Sequence, residues 1–297
     1  MKMLFIFIDG FGLGEKDKDK NPIYAARTPN LDFIFNNYEV IPVDASLGVD
    51  GLPQSATGQT ALFTGVNAPK VLGRHLSGQP THTLKEIINK NNLFKELINR
   101  GFKVANSNVY RQEYLEKMMD PKDRKNKPSV TSVMSMSAGI RLKTTEDYKR
   151  GCGIYHDITG QILYESGYDV DVITPEEAAR RIKELTMLND FTLFEHFMTD
   201  IIGHSMDMDK AVQEVQLLDE FLGALIDTID LKEDIIFITS DHGNIEDISV
   251  ATHTFNKVPA IIIGNISGMP AARLESLVDI TPFIIRMFET GAKKHDK

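Results

Sequence analysis

A chain of 297 residues, 42% hydrophobic and 25% charged, is long enough for one large α/β domain or a domain with an insertion. Its net charge of −9, without a long basic run, argues against a nucleic-acid partner, because a phosphate backbone asks for a clustered positive face. The single cysteine, Cys152, excludes an intramolecular disulfide, and no run approaches the ~20 apolar residues that a membrane span needs.

The chain opens on LFIFI (4–8), an apolar run suited to a strand buried on both faces, followed at once by Asp9 and glycines at 10, 12 and 14. Six consecutive apolar residues fall short of the roughly 7–15 of a secretory h-region, so the expected location is cytoplasmic. The glycines lack the G-x-G-x-x-G spacing, and EKDKDKNPIY after them has no apolar helical stripe, which disfavours a dinucleotide site. The remaining reading is a metal-binding aspartate at a strand exit, with glycines that let the backbone turn beside it.

LPQSATGQTALFTG (52–65) reads as a turn and then a helix starting at or just after Ser55. Ser55 is either an N-cap or a nucleophile whose oxygen sits in the field of a helix N-terminus, and Thr57 is a second hydroxyl. Leu93, Phe94, Leu97 and Ile98 predict a helix stopped by Gly101, and FKVANSNVY (102–110) predicts a strand from which Asn106, Asn108 and Tyr110 leave. From 111 to 171 the rhythm breaks, with more charge, Ser, Met and Gly. This stretch is expected to be an inserted cap on a core of 1–110 and 172–297. PKDRKNK (121–127) within it reads as a solvated loop.

Thr174-Pro175-Glu176-Glu177 starts a helix that is expected to end near Leu185. FTLFEHFM (191–198) predicts a strand ending at Asp200, with His196 a core histidine between phenylalanines. Residues 209–229 carry the apolar stripe of a long amphipathic helix. DIIFITSDHG (234–243) and VPAIIIG (258–264) predict two more strands. Strands alternating with helices imply an α/β sandwich around a mostly parallel sheet.

Three of these strands run into an acid: Asp9, Asp200 and Asp241. His204, His242 and His253 lie beside the same exits, where open α/β sheets bind ligands. Carboxylate plus imidazole suits zinc or manganese, and six ligands exceed the needs of one tetrahedral ion, so two divalent ions are expected.

Together these motifs resemble the alkaline phosphatase superfamily, in particular its branch of cofactor-independent phosphoglycerate mutases and phosphopentomutases. FIFIDGFG resembles the opening strand of that branch, QSATGQTALFTG its nucleophile segment, DIIGHSMD the D-x-x-x-G-H motif, ITSDHGN the D-H-G-N motif and THTFNKVPAIIIG the segment of the last histidine. The resemblance implies an alkaline-phosphatase-like three-layer sandwich with a small inserted cap. It implies that Asp200, His204 and His253 hold one ion, and that Asp9, Asp241, His242 and the Ser55 oxygen hold the other. Ser55 would then be the phosphorylated residue of a mutase or phosphomonoesterase acting on a small phosphorylated metabolite. Two dications against three aspartates leave positive charge for a phosphate dianion.

The resembled mutases are longer and carry basic residues for the rest of the substrate. Arg74, Arg111 and Arg141, with Thr57, Asn106 and His156, stand as substrate contacts here, and Gln59 occupies a place where those mutases tend to have histidine. A phosphodiesterase or sulfatase of the same superfamily is a second reading, though ATGQ after Ser55 lacks the arginine that sulfatase chemistry needs. A metal-stabilised regulatory protein without turnover is a third.

Overall fold

A computed structural model describes residues 1–295 apart from 121 and 124, so Pro121 and Arg124 of the basic stretch at 121–127 lie outside the described residues. Among the described residues eight strands form: β1 (Met3–Ile8), β2 (Val40–Val43), β3 (Val104–Asn106), β4 (Val109–Tyr110), β5 (Lys143–Thr144), β6 (Phe191–His196), β7 (Ile235–Thr239) and β8 (Val258–Gly264). Six make one sheet in the order β2-β8-β7-β1-β6-β3, and β4 pairs with β5 in a small parallel sheet. β1, β3, β6 and β7 run parallel, and β8 is antiparallel to both β7 and β2.

β1 lies inside the sheet and is fully buried, which explains its unbroken apolar run. Its side chains alternate between two cores. Met3, Phe5 and Phe7 join a cluster with Phe63 of helix Ser55–Thr64, Phe94 of Leu93–Asn99 and Phe283 of Ile280–His295. Leu4, Ile6 and Ile8 join Ile182 of helix Pro175–Leu188 and Leu218 of Met208–Thr228. The result is a three-layer α/β sandwich. Phe5 stacks on Phe237 at 5.3 Å, and Phe7 meets Phe63 edge-on at 5.4 Å. Such pairs add about 0.5–1.5 kcal/mol each beyond burial.

Two expected strands end early. The 102–110 stretch leaves the main sheet after Asn106, whose side chain accepts from Asn108 N at 2.9 Å and closes a local turn. The 191–198 strand ends at His196, and a short helix, Met198–Gly203, carries Asp200 in its first turn instead of at a strand end. Helix Pro175–Leu188 begins as expected, with the Thr174 hydroxyl accepting from Glu177 N at 3.2 Å.

The 111–171 segment contributes to both cores: Val130, Val133 and Met134 pack with Phe94, and Tyr148, Ile154 and Leu163 pack with Ile6. Part of the segment, including Arg111, Tyr114 and His156, also borders the cavity described below. Among the described residues, no helix is long and apolar enough to cross a membrane.

Candidate metal centre

Asp9 and Asp241 follow the ends of the neighbouring strands β1 and β7, and that adjacency brings them to one edge of the sheet. The Gly10 amide approaches Asp241 Oδ1 at 3.5 Å. At Gly10 (φ +71°) an added Cβ would lie 3.0 Å from Asp200 Cβ, and at Gly12 it would lie 2.3 Å from a Glu246 carboxylate oxygen. These glycines therefore let the loop after β1 press against the acids beside it, which accounts for the D-G-F-G sequence.

Ser55 is the first residue of its helix, with Gln54 as N-cap, and its Oγ lies 3.0 Å from His242 Nε2. His242 Nε2 is 3.2 Å from Asp9 Oδ1 and 3.5 Å from Asp241 Oδ2. Asp200 Oδ1 is 3.5 Å from His204 Nε2 and 3.4 Å from His253 Nε2, and those two nitrogens are 3.2 Å apart. The rings of His242 and His253 stack at 3.7 Å, which joins the two clusters. All six acids and imidazoles and the Ser55 hydroxyl thus converge.

The imidazoles are set for cation binding. Nδ1 of His253 meets Pro53 O at 2.8 Å, Nδ1 of His204 meets Ala251 O at 2.8 Å, and Nδ1 of His242 meets Gly243 O at 3.4 Å. A carbonyl only accepts, so Nδ1 is the proton-bearing nitrogen in these contacts, and the Nε2 of each ring points into the cluster, available to a cation. The Nε2 atoms of His204 and His253 are 3.2 Å apart and both lie within 3.5 Å of Asp200 Oδ1, close enough for all three to bind one cation.

The acids carry the same implication. Asp9 Oδ1 and Asp241 Oδ2 are buried without a hydrogen-bond partner. Burial, and then Asp9, push the Asp241 carboxyl well above the usual carboxylate range. Burial opposes a charged His242, but Asp241, Asp9 and Asp200 outweigh it and raise the imidazole to about 10. Burial also works against an ionised Asp200, yet the hydrogen bond from His253, the charge of His242 and the Asn244 amide hold it near 2. Without a cation, one acid must keep a proton and an imidazole must stay charged. A divalent ion relieves both.

Two sets of donor atoms lie within 4.8 Å of one another: Asp200, His204 and His253, and Asp9, Asp200 and His242. The first matches the ligand group implied by the sequence. In the second, Asp200 joins Asp9 and His242, so one carboxylate borders both positions. The two sets share Asp200, so the residues fit two neighbouring divalent ions.

A family profile described as the metalloenzyme superfamily matches residues 1–292. The chain belongs to this superfamily. Among curated proteins it is similar to the 2,3-bisphosphoglycerate-independent phosphoglycerate mutase of Pyrococcus abyssi, 26% identical over 76% of this chain and 58% of that protein. The protein of the same name from Desulforudis audaxviator is 29% identical over 38% of this chain and 24% of its own length. The chain thus spans less than two thirds of these relatives. In fold it is similar to the PH0037 protein of Pyrococcus horikoshii, with a TM-score of 0.57, 17% identity and coverage of 97% and 96% of the two chains. It is similar also to the alkaline phosphatase of the Antarctic bacterium TAB5, with a TM-score of 0.56, 13% identity and coverage of 97% and 98%.

Within this metalloenzyme, the residues expected to touch substrate divide. Arg111 and His156 border the cavity at Ser55. Thr57 does not serve as a free hydroxyl: it is fully buried, donates to Gln54 O at 3.2 Å and accepts from Leu76 N at 3.1 Å. Asn106 is tied to Ser135 and to the Asn108 amide. Arg141 grips Asp147 with both terminal nitrogens, at 2.7 and 2.8 Å. Arg74 is exposed and does not border the cavity.

Three contributors went unassigned in the sequence. Gln59 donates to Asp9 Oδ2 at 3.0 Å, four residues along the helix from Ser55. Asn244, in the D-H-G-N motif, donates to Asp200 Oδ1 at 2.7 Å. Buried Glu246 accepts from Gly12 N and Asn244 N, at 3.0 and 2.7 Å, and from the Thr254 hydroxyl, tying the loops that carry Asp9, Asp241 and His253. The spacing of D-H-G-N was a signal for Asn244, and Gln59 lies one helical turn from Ser55.

Proposed function

We propose that this chain is a phosphoryl-transfer enzyme that works through a phosphoserine at Ser55 on a small phosphorylated metabolite, with two divalent ions, manganese or zinc, held by Asp9, Asp200, His204, Asp241, His242 and His253. The observation that carries the reading is Ser55 Oγ at the first turn of a helix, 3.0 Å from an imidazole that borders two buried, unpartnered carboxylate oxygens. The match to the superfamily and the mutase names of the relatives support it.

Ions bound there would supply Lewis-acid charge that favours the Ser55 alkoxide and screens the phosphate. The protein's own contribution is position and field. The Ser55 oxygen attacks phosphorus as its hydroxyl proton is released, an Oγ–P bond forms, the P–O bond to the alcohol breaks, and one proton, equivalent to that released, is taken up by the leaving alcohol oxygen. Ser55 sits at the positive end of the dipole of helix Ser55–Thr64, which favours the developing negative charge. Gln59 holds Asp9, Asn244 holds Asp200, and the three Nδ1–carbonyl contacts hold the rings, so little reorganisation accompanies the charge shift. The phosphoryl group then passes to water or to another hydroxyl.

The test is chemical. Protein loaded with manganese or zinc is incubated with a panel of phosphomonoesters, quenched in acid and digested. Phosphate on the peptide containing Ser55, absent in Ser55→Ala, is the expected result. Inorganic phosphate would mark a hydrolase, an isomerised ester a mutase. Turnover without any phosphoserine would overturn the reading.

A further inference from the structure

A cavity of ≈ 590 Å³ opens beside Ser55 and Asp9. This lies within the roughly 300–1,000 Å³ of pockets that hold drug-sized ligands, and a three-carbon acid would fill only a small part of it. Five rings line it: Tyr110, Tyr114, Tyr155, His156 and Phe197. His156 stacks on Phe197 at 3.9 Å and leans on Tyr155 at 4.1 Å, while Tyr110 and Tyr114 stack at 6.2 Å with an interplanar angle of 11°. These rings carry no charge. Burial pushes the Tyr114 phenol up to about 12 and His156 down to about 3, so both are neutral near pH 7. The Tyr114 hydroxyl donates away from the ring face to Lys127 O at 2.8 Å.

The charge balance points the same way. Arg111, an exposed residue, is the one Lys or Arg among the described residues that line the cavity, against Asp9, Glu195 and Asp200. Bound ions and the transferred phosphate would settle the account at Asp9 and Asp200. Glu195 stays as a buried carboxyl on the wall, its Oε2 accepting from Thr131 at 2.5 Å, and burial raises it to about 7, so it offers no partner to an anion. A second anionic group on the substrate would find one solvent-screened guanidinium and no other Lys or Arg among the described residues that line the cavity. A flat neutral ring would meet aromatic faces, and base–aromatic stacking is sequence-tolerant and favourable.

We infer that the alcohol part of the substrate is uncharged and carries a flat ring, as in a nucleoside 5′-monophosphate, with the ring against Tyr114 and Phe197 and the phosphate at Ser55. This rests on the phosphoryl-transfer reading above and narrows it. It also departs from the relatives, whose names describe phosphoglycerate mutases.

The experiment has two readouts on metal-loaded protein. In the first, kcat/KM is compared for adenosine 5′-monophosphate, phenyl phosphate, ribose 5-phosphate and 3-phosphoglycerate. The two ring-bearing esters are expected to exceed the others by about tenfold or more, the ratio that one stacked ring supplies. In Phe197→Ala that ratio falls by about tenfold. A preference for 3-phosphoglycerate, or ribose 5-phosphate equal to the nucleotide, overturns the inference. The second readout is saturation-transfer NMR with adenosine alone, which has no phosphate. Transfer to the base protons, weakened in Phe197→Ala, supports the ring site even if no ester turns over, in which case only the catalytic reading fails. No transfer to the base overturns the ring site whatever the turnover.

Discussion

Two groups of buried acid in this molecule are neutralised in opposite ways. Asp147, with a side chain 3% exposed, is surrounded by the protein's own donors: Arg141 at 2.7 and 2.8 Å, Arg150 at 2.8 Å and Thr144 N at 2.8 Å. Asp9 and Asp241 have no guanidinium or ammonium partner among the described residues. They face the His242 imidazole, and each keeps a buried oxygen without a hydrogen bond. The contrast separates structural charge from functional charge. Where a carboxylate only has to hold a turn, fixed cations satisfy it. Where a divalent ion has to sit, the protein supplies donors and leaves the positive charge to be brought in.

The contrast breaks most visibly at Asp241. Asp241→Asn removes a ligand charge from the deepest part of the centre. It is expected to lower turnover by about a thousandfold or more, since metal charge stabilisation is worth several kcal/mol. Metal bound per chain, measured by elemental analysis after desalting, should fall with it. His204, exposed at the rim, should behave more mildly: His204→Ala is expected to lose metal at one position and keep the other. Full metal content and turnover in Asp241→Asn would show that the unpartnered oxygens are not ligands.

Arg141→Ala tests the other side. It leaves Asp147 with Arg150 and the Thr144 amide, and the lost guanidinium is 65% exposed, so water screens much of its effect. The expected loss is about 1 kcal/mol of stability by urea denaturation, with metal content unchanged. A fall in metal content would mean that the two acid groups are linked.

How much of this was legible in the chain depends on whether a residue's role is set by its neighbours in sequence or in space. Asp9 follows an apolar run directly and Asp241 and His242 follow one after Thr239 and Ser240, so strand exits could be read from pattern alone, and the sandwich followed from strands alternating with helices. Asp200 was expected at a strand end, but Met198–Gly203 winds into a helix that the apolar letters of FTLFEHFM do not distinguish from more strand. Arg141, Thr57 and Asn106 show the limit. Each has the right chemistry for a phosphate ester, but Asp147, Leu76 and Ser135 had already engaged them. Partners of this kind are fixed by tertiary packing and leave no periodic trace. Glu246, hidden in GNIED, was missed for the same reason, because its partners come from three separate loops.

The smallest effect sharpens the comparison through pH. Hydrogen bonds from Arg141 first, with the Thr144 amide and Arg150, hold the Asp147 carboxyl well below its ordinary value of 3.8. A carboxyl with a depressed folded-state pKa binds fewer protons in the native state than in the unfolded one. Its contribution is therefore present above the unfolded value and lost as pH falls through that value toward the folded one. The metal must be absent for this to be visible, since acid also strips ions from imidazoles. In chelator-treated protein, urea midpoints measured at about pH 5 and about pH 3 should give a steeper loss for the native chain than for Asp147→Asn, by about 1 kcal/mol after screening of the exposed arginines. Parallel losses would show that the guanidinium cage around Asp147 adds nothing to the folded state, and the distinction between a caged acid and a metal-seeking one would then rest on the centre alone.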